Sequence, residues 1–184
     1  MSITDNNYIE RINQVHQQLG IPPNYAHERE LHLQEEATSL VDADHNSAGK
    51  VLQLVPLAAK MWHDMKKAAI KDGIHLLMVS GYRGVDYQRD LIQKKLDKGE
   101  DIDNILRILA PPGYSEHHTG RAIDITSPDC PPCEERFEKT DAFAWLNLHA
   151  SEFDFAMSYP RGNRQGFLYE PWHWALQRNE GFGL

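Results

Sequence analysis

The segment PPGYSEHHTGRAIDIT at residues 111–126 brings two adjacent histidines close to a carboxylate. His117 and His118 precede Gly120, and Asp124 follows inside a short apolar run that predicts a strand. A buried carboxylate is destabilising unless it is hydrogen-bonded, ion-paired or bound to a metal. Gly120 permits a turn that would bring a loop histidine and a strand carboxylate into contact. The segment therefore favours a metal site whose other groups come from elsewhere in the chain.

A second pair of candidate residues lies near the C-terminal end, where Glu170 precedes His173 by three positions. Two neutral imidazoles and one carboxylate, from His117, Asp124 and His173, suit zinc and leave a fourth position for water. On a regular strand, Glu170 and His173 would face opposite sides. Pro171 interrupts the strand, so both groups can turn toward one metal. Glu170 would then be placed to take a proton from water.

The elements that must position these residues follow from hydrophobic spacing and from residues that end helices. Apolar residues at helical spacing predict a first helix that ends before Gly20. Residues 25–53 are polar and mixed, and we expect mostly irregular chain with one short strand. Pro56 can begin a helix that ends at Asp72 and Gly73. The predicted buried stripe of this helix consists of Leu57, Met61, Met65 and Ala68.

The remaining elements are predicted in the same way. The predicted helices cover residues 85–99, 101–110 and 140–150. The first of them would bury Tyr87, Leu91 and the stem of Lys95, and Thr140 can cap the last one. The predicted strands cover residues 74–80, 121–126, 153–160 and 167–176, the last two as a hairpin. Because helices come mostly first and antiparallel strands later, the expected fold class is α+β.

Length and charge limit the possible partners. A chain of 184 residues suits one domain with a full core. The net charge of -8 argues against nucleic acid or an anionic membrane as the main partner. No apolar run approaches a membrane span, and the N-terminal residues lack the basic and apolar regions of a secretory signal. We therefore expect a cytoplasmic protein, or a periplasmic one if a signal has been removed.

The two cysteines, Cys130 and Cys133, lie in the segment DCPPCEE. A second cysteine pair that would complete a Cys₄ zinc site is missing from the sequence, and the segment does not begin a helix of the thioredoxin kind. In a cytosolic chain we expect a proline-rich surface loop with two reduced thiols. Catalysis is not expected to need either of them.

The candidate residues also form a recognisable pattern. The motif S-x-H-x-x-G-x-A-x-D at residues 115–124, followed by E-x-W-H at 170–173, resembles the LAS zinc metallopeptidases. Three segments are similar to the VanY-type D-alanyl-D-alanine carboxypeptidase family: SGYRGVDYQ at 80–88, YSEHHTG at 114–120 and SYPRGNRQGFLYEPWHW at 158–174. The resemblance covers about residues 50–178. It predicts a VanY-like zinc carboxypeptidase domain at residues 51–184, with residues 1–50 as an extension packed on its core.

The resemblance implies a small α+β fold in which a central antiparallel sheet carries a zinc ion and helices pack on the sheet. It implies His117, Asp124 and His173 as zinc ligands and Glu170 as the catalytic base. Arg83 would steady the scissile carbonyl or the terminal carboxylate of the substrate. The residue type agrees, since a guanidinium at the end of a strand suits a carboxylate or a developing oxyanion.

The resemblance also implies how the substrate is held. Gln88 and Ser115 would line the pocket for the terminal residue, and Trp172 would form part of its wall. His118 is interpreted as a surface or supporting residue, because the motif spacing selects His117 as the ligand. The expected partner is a peptidoglycan stem peptide or muropeptide.

The predicted activity is zinc-dependent removal of the C-terminal D-alanine from peptidoglycan stem peptides. An L,D-carboxypeptidase that trims tetrapeptides during cell-wall recycling is an alternative, and so is an endopeptidase of the phage-lysin type. Two histidines and one aspartate also describe the metal site of non-haem iron oxygenases. In those enzymes the first pair is usually His-x-Asp, whereas six residues separate His117 from Asp124 here. A binding module without turnover is disfavoured by Glu170, which occupies the position of the base.

Overall fold

A four-stranded antiparallel sheet is the centre of the computed structural model, which describes residues 6–177. The strands of the protein are β1 (Val41–His45), β2 (Val51–Leu54), β3 (Leu77–Ser80), β4 (Ala122–Thr126), β5 (Phe155–Met157) and β6 (His173–Leu176). The central sheet has the order β3-β4-β6-β5, and β1 and β2 form a separate hairpin. Every residue of β4 is buried, because this strand lies between two neighbours in the sheet.

Helices precede and surround the sheet. They are α1 (Asn6–Leu19), α2 (Tyr25–Glu28), α3 (Pro56–Lys71), α4 (Val85–Leu96), α5 (Ile102–Ile105) and α6 (Asp141–His149). Short 3₁₀ helices cover Glu116–Thr119, Glu135–Lys139 and Ala150–Phe153. The predicted α+β class is confirmed, and so is the N-cap of α6, where Thr140 Oγ1 accepts a hydrogen bond from the backbone N–H of Phe143 at 3.2 Å. Among the described residues, no helix is both long and apolar enough to cross a membrane.

The main hydrophobic core lies between the central sheet and helices α3 and α6. Trp62 and Met65 of α3 are fully buried in the same cluster as Ile123, Ile125 and Phe155 of the sheet. The predicted pairing of the last two strands is confirmed, since Phe155 of β5 lies opposite Leu176 of β6. This packing holds the middle of β4, and therefore Asp124, in a fixed place.

The buried face of α3 differs from the predicted stripe. Met65 is buried as expected, but Leu57, Met61 and Ala68 are only partly buried. The other buried residues of the helix are Ala58, Ala59, Trp62 and Ala69. The Trp62 indole N–H donates a hydrogen bond to Asp44 of β1 at 2.9 Å, which helps to fix this face toward the core.

The β1–β2 hairpin corrects the expectation of mostly irregular chain at residues 25–53. This range holds a short helix, α2, and nearly all of two paired strands, with His45 opposite Val51. At the turn, Asn46 Oδ1 accepts backbone N–H bonds from Ala48 at 3.1 Å and Lys50 at 3.0 Å. The sequence predicts one short strand in this range, and the second strand was missed because the strands are short and polar on one face.

Helix α4 is also rotated relative to its prediction. Tyr87 is 46% exposed, and the buried residues of the helix are Val85, Gln88 and Ile92. Val85 packs against Tyr8 and Ile12 of α1, so the face of α4 is chosen by contact with the N-terminal helix.

The N-terminal residues are thus in contact with the elements that carry the predicted site. The division of the chain at residue 50 stays a prediction. The outer ends of the two predicted regions, residues 1–5 and 178–184, lie outside the described residues.

The two cysteines differ in their surroundings. Cys130 is buried in the main core, whereas Cys133 is exposed, and both thiols are free. The expectation of a surface loop is therefore wrong for Cys130. Its side chain packs as a small apolar group.

Candidate active site

Strands β4 and β6 bring three possible metal ligands together. Asp124 in the middle of β4 lies opposite His173, the first residue of β6. His117 lies on the 3₁₀ helix that precedes β4, and Gly120 reverses the chain between them with φ 64°. One ligand atom from each of the three buried side chains lies within 4.8 Å of the others. The structure therefore assembles the group that the sequence predicts.

The hydrogen bonds of His117 decide which of its nitrogens faces the group. Nδ1 lies 2.7 Å from the carbonyl oxygen of Gly81, which can only accept, so Nδ1 carries the proton. Nε2 is then an acceptor, 3.3 Å from Asp124 Oδ1. This nitrogen is buried and finds no hydrogen-bond partner among the described residues. A buried lone pair that faces a carboxylate is suited to a metal ion, so the donor set fits one.

His173 is oriented by a carboxylate on its far side. Its Nε2 lies 2.9 Å from Glu116 Oε2, and its Nδ1 lies 3.1 Å from Asp124 Oδ1. Glu116 also accepts a hydrogen bond from Ser158 Oγ at 2.6 Å. Nδ1 is therefore the nitrogen that faces the cluster. Carboxylate–imidazole pairs of this kind fix the ring and raise its basicity as a ligand.

Glu116 was missed in the sequence analysis. It directly precedes His117, and an acidic neighbour of a candidate ligand is too common a feature to identify a role. Only the fold shows that its carboxylate reaches the other histidine, 57 residues away in sequence.

The electrostatics of the cluster favour the metal-binding protonation states of Asp124 and His117. Burial alone would raise the pKa of Asp124, but His117, His173 and Arg83 outweigh burial and hold that pKa well below its usual range. Burial, and then the charge of Arg83, lower the pKa of His117 to about 4. At neutral pH the carboxylate is therefore charged and His117 is neutral. For His173, burial alone would lower the pKa, but the hydrogen bonds with Asp124 and Glu116 outweigh burial and raise it to about 10. A metal would therefore have to displace a proton from this ring.

Glu170 lies beside the cluster, and its carboxylate is outside hydrogen-bond distance of the ligand nitrogen of His173. Its Oε2 is 3.9 Å from His173 Nδ1. The backbone N–H of His173 donates to the carbonyl of Glu170 at 3.1 Å, which closes a turn through Pro171. This turn places both side chains on one side despite their odd spacing, as the sequence predicts. Burial raises the pKa of Glu170 to about 7.

Arg83 follows β3 and reaches the same place. Its Nη2 lies 3.4 Å from Asp124 Oδ2, and its Nε is buried without a hydrogen-bond partner among the described residues. The backbone N–H of Arg83 donates to the carbonyl of His117 at 3.2 Å. The guanidinium is thus held next to the ligand group, with hydrogen-bonding capacity to spare.

His118 supports this arrangement from behind. It is fully buried, so the surface interpretation is wrong. Its Nδ1 lies 2.6 Å from the carbonyl of Arg83, and its Nε2 accepts a hydrogen bond from the backbone N–H of Gly113 at 2.9 Å. The ring connects the loop that carries Arg83 to the loop that precedes His117.

A cavity opens onto the cluster, and we call it the catalytic cavity. Its lining consists of Arg83, Gln88, Ile108, Leu109, Ala110, Ser115, His117, Tyr159, Phe167, Glu170 and His173. Gln88 is buried and donates to the carbonyl of Ala110 at 2.8 Å, while its Oε1 finds no partner among the described residues. Trp172 is partly buried against the main core and is absent from this lining of described residues. Its part in a substrate wall stays a prediction.

Comparison with known proteins matches residues 52–177 to the family model of the VanY D-alanyl-D-alanine carboxypeptidases. The chain belongs to the VanY family. YodJ of Bacillus subtilis (strain 168) is 35% identical over 125 residues, which are 63% of this chain and 43% of that protein. The chain spans less than half of the length of the first curated relatives that it matches.

Solved structures of other proteins share this fold. The structure of the LD-carboxypeptidase LdcB has a TM-score of 0.70 and 28% identity, and the match covers 80% of this chain and 72% of that one. A vancomycin-resistance D,D-pentapeptidase VanY, solved as a mutant in complex with Zn(II), has a TM-score of 0.61 and 24% identity. That match covers 79% of this chain and 81% of the other, and it shows a shared fold.

Proposed function

We propose that this VanY-family chain is a zinc-dependent carboxypeptidase that releases the C-terminal D-alanine of peptidoglycan stem peptides. The observation that carries the proposal is the buried Nε2 of His117, which has no hydrogen-bond partner within residues 6–177 and faces Asp124 and His173, with Glu170 beside them. A metal-binding group with an adjacent carboxylate is the arrangement that a metallopeptidase needs.

The residues that would hold the metal are His117 through Nε2, Asp124 through its carboxylate and His173 through Nδ1. Zinc is the metal we propose, since this donor set suits it and the VanY structure with the same fold contains Zn(II). When bound, zinc supplies a Lewis acid that polarises the scissile carbonyl and lowers the pKa of water.

Glu170 would act as general base and then as general acid in the reaction. Its carboxylate accepts a proton from the attacking water as the bond between water oxygen and carbonyl carbon forms. The same carboxyl group then gives the proton to the nitrogen of the leaving D-alanine as the C–N bond breaks. Glu170 Oε2 lies 3.9 Å from His173 Nδ1, so the carboxylate is close to the proposed metal site without a hydrogen bond to this ligand.

Arg83 would stabilise the negative charge on the carbonyl oxygen or hold the terminal carboxylate of the substrate. Its buried Nε and its position 3.4 Å from Asp124 leave it directed at the place where the substrate must lie. Gln88 and Ser115 line the same cavity, and the free Oε1 of Gln88 can accept a hydrogen bond from the terminal residue.

An L,D-carboxypeptidase that acts on tetrapeptides is a second candidate. The observation that favours it is the likeness to the LD-carboxypeptidase LdcB, with a TM-score of 0.70 at 28% identity. The family model, which names D-alanyl-D-alanine carboxypeptidases, favours the first candidate. A cytoplasmic location, which would suit recycling of cell-wall fragments, stays a prediction.

Mass spectrometry of defined tetrapeptide and pentapeptide muropeptides after incubation with zinc-loaded protein tests the proposal. Loss of one alanine from the pentapeptide alone supports the D,D activity, and loss from the tetrapeptide supports the L,D activity. Zinc content should be about one per chain and should fall in His117→Ala, because a ligand is lost. Bound iron with turnover that needs 2-oxoglutarate would instead establish the oxygenase alternative, and an intact set of peptides would refute the carboxypeptidase proposal.

A further inference from the structure

A groove of about 280 Å³ lies next to the catalytic cavity, between the β1–β2 hairpin and residues 79–87. We call it the basic groove. Arg83 lines both the groove and the catalytic cavity, so the two spaces meet at this residue. A peptide whose C-terminal bond lies in the cavity can therefore continue into the groove past Arg83.

The charge of the groove is opposite to that of the chain. The sequence has 27 acidic and 19 basic residues, a net charge of -8. Lys50 and Arg83 both line the groove, whereas none of the described residues in its lining is an aspartate or a glutamate. A concave surface with cations of one sign attracts and retains an anionic group. Ser80 is a further polar group of the lining, whereas the amide of Gln53 already donates to Asp42 Oδ1 at 3.0 Å.

Lys50 is held in place by the hairpin turn and by an aromatic ring. Its backbone N–H donates to Asn46 Oδ1 at 3.0 Å, and its carbonyl accepts from the N–H of Asn46 at 3.0 Å. Its Nζ lies 4.9 Å from the centre of the Tyr87 ring. Lys50 is in no ion pair that the described part of the chain shows. Lys50 is thus an exposed residue whose backbone is fixed by the turn and whose ammonium lies beside the Tyr87 ring, with its charge left for a ligand.

A second groove next to the catalytic cavity has no lysine or arginine among the described residues of its lining. That second groove shares Tyr159 with the cavity and is lined by Glu30, His32 and Glu116. Both carboxylates there already have partners, since Glu30 is ion-paired with Arg164 at 3.3 Å and Glu116 Oε2 lies 2.9 Å from His173 Nε2. Of these two grooves, the one that contains Lys50 therefore offers the cation that a carboxylate of the substrate needs.

We infer that the basic groove binds a carboxylate-bearing residue of the substrate peptide, upstream of the scissile bond, and that Lys50 is the side chain that selects it. The inference rests on the proposed function, which places the scissile bond in the catalytic cavity. Arg83 is needed at the reacting bond, so Lys50 is the cation that can bind the carboxylate of the upstream substrate residue. The preferred substrate class is thus an acidic stem peptide with a free side-chain or α-carboxylate.

Matched peptides test the inference. Each pair ends in D-alanyl-D-alanine and differs only in one upstream carboxyl group, which is either the free acid or the carboxamide. The two residues before the penultimate D-alanine are tested in turn. Calorimetry with the zinc-loaded Glu170→Ala variant measures binding without cleavage. The acid should bind about fivefold more tightly than the amide in at least one pair, the range of an exposed charge pair, and the preference should shrink with added salt.

Variants at Lys50 show whether this side chain causes the preference for the acid over the amide. Lys50→Gln, made in the same Glu170→Ala background, should remove the preference for the acid, and Lys50→Arg should keep it. Lys71→Gln is the matched control, since this lysine ends α3 outside the groove lining and should leave the preference unchanged. Equal affinity for acid and amide in every pair, or a preference that survives in Lys50→Gln, would overturn the inference.

The same peptides separate this inference from the proposed function. D-alanine release by the wild-type protein is measured with each pair. If D-alanine is released from both peptides of every pair and the two peptides bind equally well, the role of Lys50 is refuted and the proposed carboxypeptidase activity stands. A Lys50-dependent binding preference without release from either member would support the groove and refute the proposed reaction.

Discussion

At the scale of single residues, the site depends on groups that orient the ligands as much as on the ligands. The carbonyl of Gly81 holds the proton of His117 on Nδ1, and Glu116 takes a hydrogen bond from the far nitrogen of His173. Each histidine therefore presents one defined nitrogen to Asp124. Such orienting partners usually affect metal affinity strongly.

Replacing Glu170 should separate chemistry from metal binding. Glu170→Ala removes the proposed base and no ligand, so zinc should stay close to one per chain while turnover falls by about 10²–10⁴-fold. Zinc analysis and the rate of D-alanine release measure the two effects. Glu170→Asp is the control and should recover part of the rate, because its carboxylate is shorter. Loss of zinc in Glu170→Ala would show that Glu170 is a ligand.

Replacing Glu116 should weaken metal binding without removing a ligand. Glu116→Leu removes the acceptor for His173 Nε2, and zinc affinity should fall by about 10–100-fold. Glu116→Gln keeps an acceptor without the charge, so its loss should be smaller. Ser158→Ala is the control that removes only the second partner of Glu116. Competition with a chelator measures the affinities, and equal affinity in all four proteins would exclude a positioning role.

At the scale of elements, the turn between the 3₁₀ helix and β4 decides whether His117 meets Asp124. Gly120 adopts φ 64° at this turn, and its backbone carbonyl accepts a hydrogen bond from the N–H of Val55 at 3.0 Å. A Cβ at this position would lie 3.1 Å from side-chain atoms of Leu40 and of Val55. The turn is thus restricted both by its backbone conformation and by the residues packed over it.

Gly120→Ala should therefore lower both stability and zinc affinity. The left-handed conformation costs about 1 kcal/mol for a residue with a Cβ, and the contacts add to this cost. Gly162→Ala is a matched control, because Gly162 has φ 71° with nothing within 4 Å of an added Cβ. Urea denaturation should show a larger loss for Gly120→Ala. Equal losses of stability in the two variants would mean that the side chains around Gly120 can move aside without an energetic penalty.

At the scale of the whole molecule, the N-terminal residues contact the loops of the site. The backbone N–H of Gln34 donates to the carbonyl of Gly113 at 2.8 Å, and that of Ala37 to the carbonyl of His118 at 2.8 Å. His16 of α1 lies 2.7 Å, through Nε2, from the carbonyl of Pro112. The loop that precedes His117 is therefore held from outside the region that the family model matches.

The contact of His16 predicts a pH dependence of stability. Burial lowers the pKa of His16 below 6.5, although the hydrogen bond to Pro112 partly opposes this. His16 therefore binds a proton more readily in the unfolded chain than in the folded chain. The stability that neutral His16 contributes to the folded state is present above about pH 6.5 and is lost as the pH falls through and below that value. His16→Gln lacks the titration. Urea midpoints at several pH values should show wild type losing stability relative to the variant on acidification, and a constant difference would refute the effect.

Much of the site could be predicted from the sequence, because residue types, their spacing and the residues that form turns can be recognised without knowing the tertiary contacts. The types and spacing of His117, Asp124, Glu170 and His173 specify a metal-binding group and a base, and Gly120 and Pro171 mark the turns that such a group needs. The helix boundaries near Pro56 and Thr140 follow from residues whose backbone preferences act on their neighbours. These features require no knowledge of what packs against them.

Only the tertiary structure decided the features that depend on distant contacts. Glu116 reaches His173, Gly81 orients His117 and Lys50 reaches the groove beside Arg83, each across a long stretch of sequence. The buried faces of α3 and α4 were also set by partners that periodicity cannot identify. The physical reason is that ligand chemistry lies in the side chain itself, whereas tautomer, burial and the sign of a groove are properties of what surrounds it.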